Sequence, residues 1–160
     1  GEVVARAPWL TGGYLNNPAA TDALWAGGWL HTGDVGAISP TGTLVISDRL
    51  KDVIKSGGEW ISSLQLETLV SRADGLAEVA AIGLPDARWG ERPCLVAVLR
   101  PGAEQAPVKT AMLATIDAAI AGGTLSKWAH PERIEWLDSL PKTSVGKLDK
   151  KAMRRMFEKS

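Results

Sequence analysis

The sequence predicts an α+β fold, in which a mixed strand-and-helix domain follows a β-rich segment. Three observations predict it. Up to about residue 47 short β-prone runs are cut by turn residues, and from about residue 52 strand and helix patterns alternate. The composition, 45% hydrophobic and 22% charged over 160 residues, is that of an ordinary globular chain able to bury a sizeable core. The alternating region covers roughly 110 residues, a normal domain size, and is expected to hold a three-stranded sheet with flanking helices.

Each element follows from its residues. Glu2–Ala7 is a β-prone run. Asn17 with Pro18 behind it is an N-cap followed by a first-turn proline, so a short helix starts there and ends near Gly27-Gly28. Trp29–Thr32 and Val35–Ser39 are expected as two strands on either side of Gly33-Asp34. Pro40-Thr41-Gly42 is a turn, and Leu44-Val45-Ile46 leaves it as a strand. These pieces are too few to close a sheet and are expected to be the edge of a larger domain. Asp52–Lys55 is a short strand before a Ser56–Trp60 turn. Ser62-x-x-Gln65 is a capping-box pattern, and Leu66, Leu69, Val70 and Ala73 share one helical face. Val79–Leu84 and Leu95–Leu99 are apolar strands, each followed by a proline. Val108, Met112, Ile116 and Ile120 form one stripe of a helix that stops at Gly122-Gly123. Ile134–Leu137 is a third strand. Asp149 then caps a basic helix, with Leu148 and Met153 as its hydrophobic staple.

Composition also excludes function classes. No apolar run approaches the ~20 residues of a membrane-spanning helix. The lone Cys94 has no disulfide partner within the chain, and no Cys/His cluster has zinc-ligand spacing. A cytoplasmic setting is therefore expected, with a peripheral membrane location as the alternative. The chain opens on Gly1-Glu2-Val3-Val4 without a methionine or a signal-like segment, which leads us to expect an excised or shortened chain. Net charge is zero but uneven. Lys142, Lys147, Lys150, Lys151, Arg154, Arg155 and Lys159 give residues 142–159 a charge of +5 against Asp149 and Glu158, and the rest carries −5. Such a tail suits an anionic partner, and a solvated helix face accounts for it equally well.

Four groups of residues could carry chemistry. Asp34, between Gly33 and Gly36, could accept two hydrogen bonds from a vicinal diol, although spacing alone favours a turn carboxylate that bonds its own backbone. Asp48-Arg49-Leu50-Lys51-Asp52 lies where the pattern changes, a natural joint between domains or simply a charged linker. Lys55 and the Gly57-Gly58 pair follow it, and such glycines allow close approach of another backbone. Trp60 comes directly after Glu59, and its flat ring could stack on adenine or pantetheine, whereas Glu59 reads as a surface charge. Pro141–Leu148 resembles a phosphate loop but lacks Walker spacing. Lys147 could still neutralise an anion there, and an ordinary loop leading into a helix is the simpler reading of that segment alone. His31 and His130 lack a catalytic partner pattern, the seven tryptophans are mostly expected in packing, and no nucleophile motif is present.

Taken in order, Gly1–Val4, Gly12–Tyr14, Trp29–Gly36, Asp48–Glu67 and Pro141–Lys147 closely resemble the C-terminal third of an acyl-CoA synthetase, a member of the adenylate-forming (AMP-binding) enzymes. Lys55–Ser62, Glu91-Arg92-Pro93 and Lys127-Trp128 before Pro131 are most similar to the fatty-acyl-CoA ligase branch. The resemblance implies that residues 1–48 are a remnant of the large N-terminal adenylation domain and 49–160 the small mobile C-terminal domain, with a hinge at 49–52. It implies a two-step reaction: acyl-adenylate formation from a carboxylic acid and ATP, then transfer to coenzyme A. By the same resemblance Lys147 bridges carboxylate and α-phosphate, and Asp34 and Arg49 hold the ribose. Lys51 is the pivot, Gly57 and Gly58 flank the pantetheine tunnel, and Lys55, Glu59 and Trp60 lie on the thioester-forming face, with Lys55 catalytic in that step and Trp60 in contact with adenine or pantetheine. Mg2+ is expected in the whole enzyme but not on this part, and no nucleic-acid partner is expected. The phosphate loop and acyl pocket lie upstream in the family, so this chain alone is expected to be inactive. The alternatives are a relative that loads a carrier protein or activates an aryl or short-chain acid, and a non-catalytic anion- or nucleic-acid-binding module.

Overall fold

Strand pairing in the first fifty residues is set by glycines at bulges and turns. In the computed structural model, which describes residues 1–158, β1 (Glu2–Ala5), β2 (Leu30–Ile38) and β3 (Leu44–Arg49) form an antiparallel sheet in the order β1-β2-β3, with helix α1 (Pro18–Leu24) between β1 and β2. Asn17 caps α1 as its sequence predicts, its side-chain oxygen accepting the Ala20 N–H at 3.1 Å. The two strands expected around Gly33-Asp34 are one. Gly33 takes a left-handed φ of +72° inside β2, where the β1–β2 register shifts: Glu2 pairs with Val35 and Val4 with His31, so β2 carries the extra residues around Gly33. The glycine therefore serves a bulge in a continuous strand, not a turn between two. At Gly36 a Cβ would lie 2.8 Å from the Val45 carbonyl, so only glycine lets β3 approach. Among the described residues every buried hydrophobic side chain lies at Val53 or beyond, while Ile38, Leu44, Val45 and Ile46 are exposed.

The chain divides into one compact unit over Gly1–Lys51 and a second beginning at Asp52. In the second, β6 (Leu76–Asp86), β7 (Gly90–Leu99) and β8 (Arg133–Trp136) are the three predicted strands. β6 and β7 pair antiparallel, and β8 pairs parallel with β7 over Cys94–Ala97. The sheet has five strands, not three, because a hairpin of β4 (Ile54–Ser56) and β5 (Glu59–Ile61) joins β7 through Ser56 and Gly90. The order is β5-β4-β7-β6, with β8 on β7. β6 runs past Pro85, which an edge strand tolerates. Pro93 sits in the central β7 between the bridge to β4 at Gly90 and the start of pairing with β8 at Cys94, where its missing N–H costs no ladder bond.

Both faces of this sheet are buried, which is why its strands read as continuous apolar runs. On one face helices α2 (Ser63–Val70) and α3 (Gln105–Ala121) place Leu66, Val70, Val108, Met112 and Ile116 against Ala81, Leu95 and Ala97. On the other, α4 (Lys150–Phe157) places Met153 against Ile82, Cys94 and Val96. Asp149 caps α4 through the Ala152 N–H at 2.9 Å, and Leu148 packs beside Met153 as the staple expected. Ser62 caps α2 through the Gln65 N–H, but the Gln65 amide nitrogen donates to the Thr124 carbonyl and so ties α2 to the end of α3.

Candidate functional site

The β4–β5 hairpin gathers five of the residues singled out from the sequence. Gly57 and Gly58 turn it with φ of +60° and +82°, the left-handed pair that a tight two-residue hairpin demands. Lys55 and Trp60 are cross-strand partners, and the Lys55 ammonium lies 5.4 Å from the centre of the Trp60 ring. Trp60 is 56% exposed, and Lys55 and Glu59 are exposed beside it. An indole, an ammonium and a carboxylate thus lie open to solvent around a turn without side chains. The turn is not loose. A Cβ on Gly57 would lie 2.5 Å from the Trp128 indole, whereas one on Gly58 would meet nothing within 4 Å.

In the first unit, Asp34 on β2 and Arg49 on β3 are register partners, and Arg49 Nε lies 3.6 Å from Asp34 Oδ1. A cleft of about 590 Å³ is lined by Tyr14, Thr32, Gly33, Arg49, Leu50 and Lys51. Nearby, the His31 imidazole bridges Glu2 at 2.8 Å and the Ala26 carbonyl at 3.1 Å. The Glu2 hydrogen bond raises the His31 pKa, and the same bond lowers that of Glu2. His31 is structural, as its sequence context suggests.

Lys147 sits on a tight turn before α4. The Thr143 N–H donates to the Lys147 carbonyl at 2.7 Å, and the Asp149 N–H to the Pro141 carbonyl at 2.8 Å, so the loop closes on itself. The Lys147 side chain is exposed and makes no hydrogen bond or ion pair among the described residues. It is not linked to the hairpin by any such bond either. The rest of the basic tail divides in two. Lys142 pairs with Glu78, Lys150 with Glu67 at 2.6 Å and with Ser63, and Arg154 with Asp52 at 3.1 Å. Lys151 and Arg155 are exposed, and Lys159 lies outside the described residues. Much of the +5 charge is therefore neutralised within the fold and is not offered to a partner. Cys94 is buried, and desolvation pushes its thiol pKa up to about 12, so it is no nucleophile. Among the described residues no His, Cys, Asp or Glu side chains gather in a group fit to ligate a metal.

The AMP-binding enzyme C-terminal domain family matches residues 65–147. That is more than half of the chain, from α2 to the lysine turn. The chain belongs to this family. The chain is also similar, over almost all of its length, to curated acid–CoA ligases. It is 41% identical over 158 residues to the medium/long-chain-fatty-acid–CoA ligase FadD8 of Mycobacterium tuberculosis, covering 98% of this chain and 28% of that protein. It is 38% identical over 159 residues to the long-chain-fatty-acid–CoA ligase of Thermus thermophilus, covering 99% of this chain and 28% of that protein. The chain thus spans 28% of the length of these relatives. Among solved structures, the amide bond synthetase McbA from Marinactinospora thermotolerans superposes with a TM-score of 0.81 at 33% identity, over 98% of this chain and 31% of that one. No helix of the described residues is long and apolar enough to cross a membrane.

Three supporting residues of the AMP-binding C-terminal domain escape a reading by sequence. Trp89 and Trp128 meet with ring centres 4.5 Å apart, and Arg92 reaches the β4–β5 hairpin. The Glu91-Arg92-Pro93 and Lys127-Trp128 motifs flag the places but not the contact, since 36 residues separate Arg92 from both Ser56 and Trp128.

Proposed function

We propose that this chain works within a longer ATP-dependent acid–CoA ligase of the fatty-acyl type, and that by itself it is inactive. The reading rests on 38–41% identity to such ligases along nearly the whole chain. In the proposed first step the substrate carboxylate oxygen attacks the α-phosphorus of ATP, and pyrophosphate leaves with the electrons of the broken P–O bond. The Lys147 ammonium offsets the repulsion between the two anions and the charge that develops in line. Its exposed position on a closed turn suits a group that meets its ligand in solvent. In the second step the coenzyme A thiolate attacks the acyl carbonyl carbon and AMP departs. The exposed face of Lys55, Glu59 and Trp60, with Gly57-Gly58 open for a pantetheine arm, is assigned to that step. Asp34 accepts the ribose hydroxyls with Arg49 beside it, and Lys51 is the pivot in a hinge at 49–52, between a remnant of the large domain (1–48) and the mobile small domain (49–160). We assign Mg2+ to the ATP phosphates in the whole enzyme and not to this chain, and we place the protein in the cytoplasm, where a lone buried thiol needs no disulfide partner. We assign it no nucleic-acid partner.

A second reading, in which the adenylate passes to an acceptor other than coenzyme A, is favoured by the likeness to an amide bond synthetase. Half-reaction assays on the longer enzyme test the first reading. Lys147→Ala is expected to lower acid-dependent pyrophosphate exchange by about 10²–10³-fold, while thioester formation from preformed adenylate and coenzyme A is spared. Undiminished exchange refutes the role of Lys147. Thioester made by the present chain alone refutes the need for further polypeptide.

A further inference from the structure

The hairpin that carries Lys55, Gly57, Gly58 and Trp60 is weakly held by its backbone. β4 has three residues, and its ladder to β7 is the single bridge Ser56–Gly90, supplemented by the Gly57 N–H donating to the Trp89 carbonyl at 3.1 Å. Consecutive side chains of β7 supply the rest. Glu91 Oε2 accepts the Lys55 N–H at 2.8 Å, and Arg92 Nη1 donates to the Ser56 hydroxyl at 3.2 Å. Ser56 is fully buried, so that hydroxyl has no recourse to water. The same guanidinium donates to the Trp128 carbonyl at 3.5 Å and to the His130 carbonyl at 3.3 Å, and its Nε faces Glu132 at 3.4 Å. Arg92 thus joins the hairpin to the single helical turn Lys127–Ala129, whose Trp128 indole is the wall against which Gly57 packs. A rigid planar fork of five donors holds these acceptors on two segments in fixed directions, whereas an ammonium offers three donors from a single rotating point.

We propose that Arg92 is a positioning residue, which locks the Gly57-Gly58 turn onto Trp128 and so fixes the Lys55–Trp60 face for thioester formation. The consequence for catalysis rests on the function proposed above; the clamp itself does not. Among the described residues nothing ties Arg92 to the Lys147 turn by a hydrogen bond or ion pair, so adenylate formation is independent of it.

Two measurements test the proposal. In the chain as it stands, amide hydrogen exchange at Gly57 is expected to quicken about tenfold or more in Arg92→Met, and less in Arg92→Lys, while amides in β6 keep wild-type protection. Ser56→Ala, which removes one acceptor and leaves the arginine, is expected to fall between Arg92→Lys and wild type. Unchanged exchange at Gly57 in both Arg92→Met and Ser56→Ala, or loss of protection throughout β6 in both, overturns the clamp. In the longer enzyme, Arg92→Met is expected to slow thioester formation from preformed adenylate about 10- to 100-fold, a typical cost of ångström-scale misplacement. Pyrophosphate exchange is expected to stay within about twofold of wild type, since no step assigned to Lys147 uses the clamp. Equal loss in both half-reactions, or in neither, overturns the positioning role. Lys147→Ala run alongside separates the two ideas. If it fails to block exchange while Gly57 still loosens in Arg92→Met, the functional reading falls and the clamp stands.

Discussion

Replacing Gly57 by alanine tests whether the hairpin turn is set by its own backbone or by the indole behind it. Two costs are separable. An L-residue at φ +60° is strained by about 1–2 kcal/mol, and a methyl 2.5 Å from Trp128 Cε2 must displace a ring already in contact with Trp89, an overpacking cost of about 1–3 kcal/mol. Gly58 has the same handedness at φ +82° with nothing within 4 Å, so Gly58→Ala carries the first cost alone. The expected losses are therefore about 2–5 kcal/mol for Gly57→Ala and about 1–2 kcal/mol for Gly58→Ala. In a unit of this size each kcal/mol lowers the Tm by about 4–6 °C. Urea unfolding followed by tryptophan fluorescence measures both. With Trp128→Ala as the common background, the penalty of Gly57→Ala is expected to fall to that of Gly58→Ala. Equal penalties at the two glycines in the wild-type background, or no relief without the indole, refute the reasoning.

Lys150 and Glu67 are only 12% and 14% exposed in their side chains, and Glu67 also accepts the Ala81 N–H at 2.8 Å. Lys150→Met leaves that carboxylate without its cation and is expected to cost about 3 kcal/mol in urea unfolding, and a loss below about 1 kcal/mol refutes a structural role for the pair. The His31–Glu2 pair gives a pH dependence of known sign. The contribution of His31, whose pKa is raised, is complete below its ordinary value of 6.5 and is lost as pH rises through the raised one. That of Glu2, whose pKa is lowered, is complete above its ordinary value of 4.5 and is lost as pH falls through the lowered one. The pair therefore contributes most between about pH 4.5 and 6.5. An NMR titration of the His31 ring should show a midpoint above the ordinary imidazole value that returns towards it in Glu2→Gln. An unmoved midpoint refutes the assignment.

What the sequence makes legible here is local. Asn17, Ser62 and Asp149 announce their helices because a cap is a contract between residues three apart, and Val108, Met112 and Ile116 announce a buried face because the helix period repeats within the segment. Gly33 shows where this fails. A glycine needing positive φ looks alike in a turn and in a bulge, and only the partner strand, here β1, decides between them. β5 is three residues long and has no period to read. Of the candidate site, the types and order of Lys55, Gly57, Gly58, Trp60 and Lys147 are plain in the chain. The pairings that neutralise the basic tail or pin the hairpin span 36 to 102 residues, as for Arg92 with Ser56 and Arg154 with Asp52, and no local pattern encodes them.

Because α4 follows every strand of the sheet in chain order, the face it covers is made before its cover. Ile82, Cys94 and Val96 have Met153 as their cover, and Glu67 and Asp52 wait for Lys150 and Arg154. During translation one oily face of the sheet, together with two carboxylates lacking their counter-ions, stays bare until α4 clears the ribosomal tunnel. A nascent chain stalled before Asp149 would therefore present to chaperones the very surface that the finished protein hides.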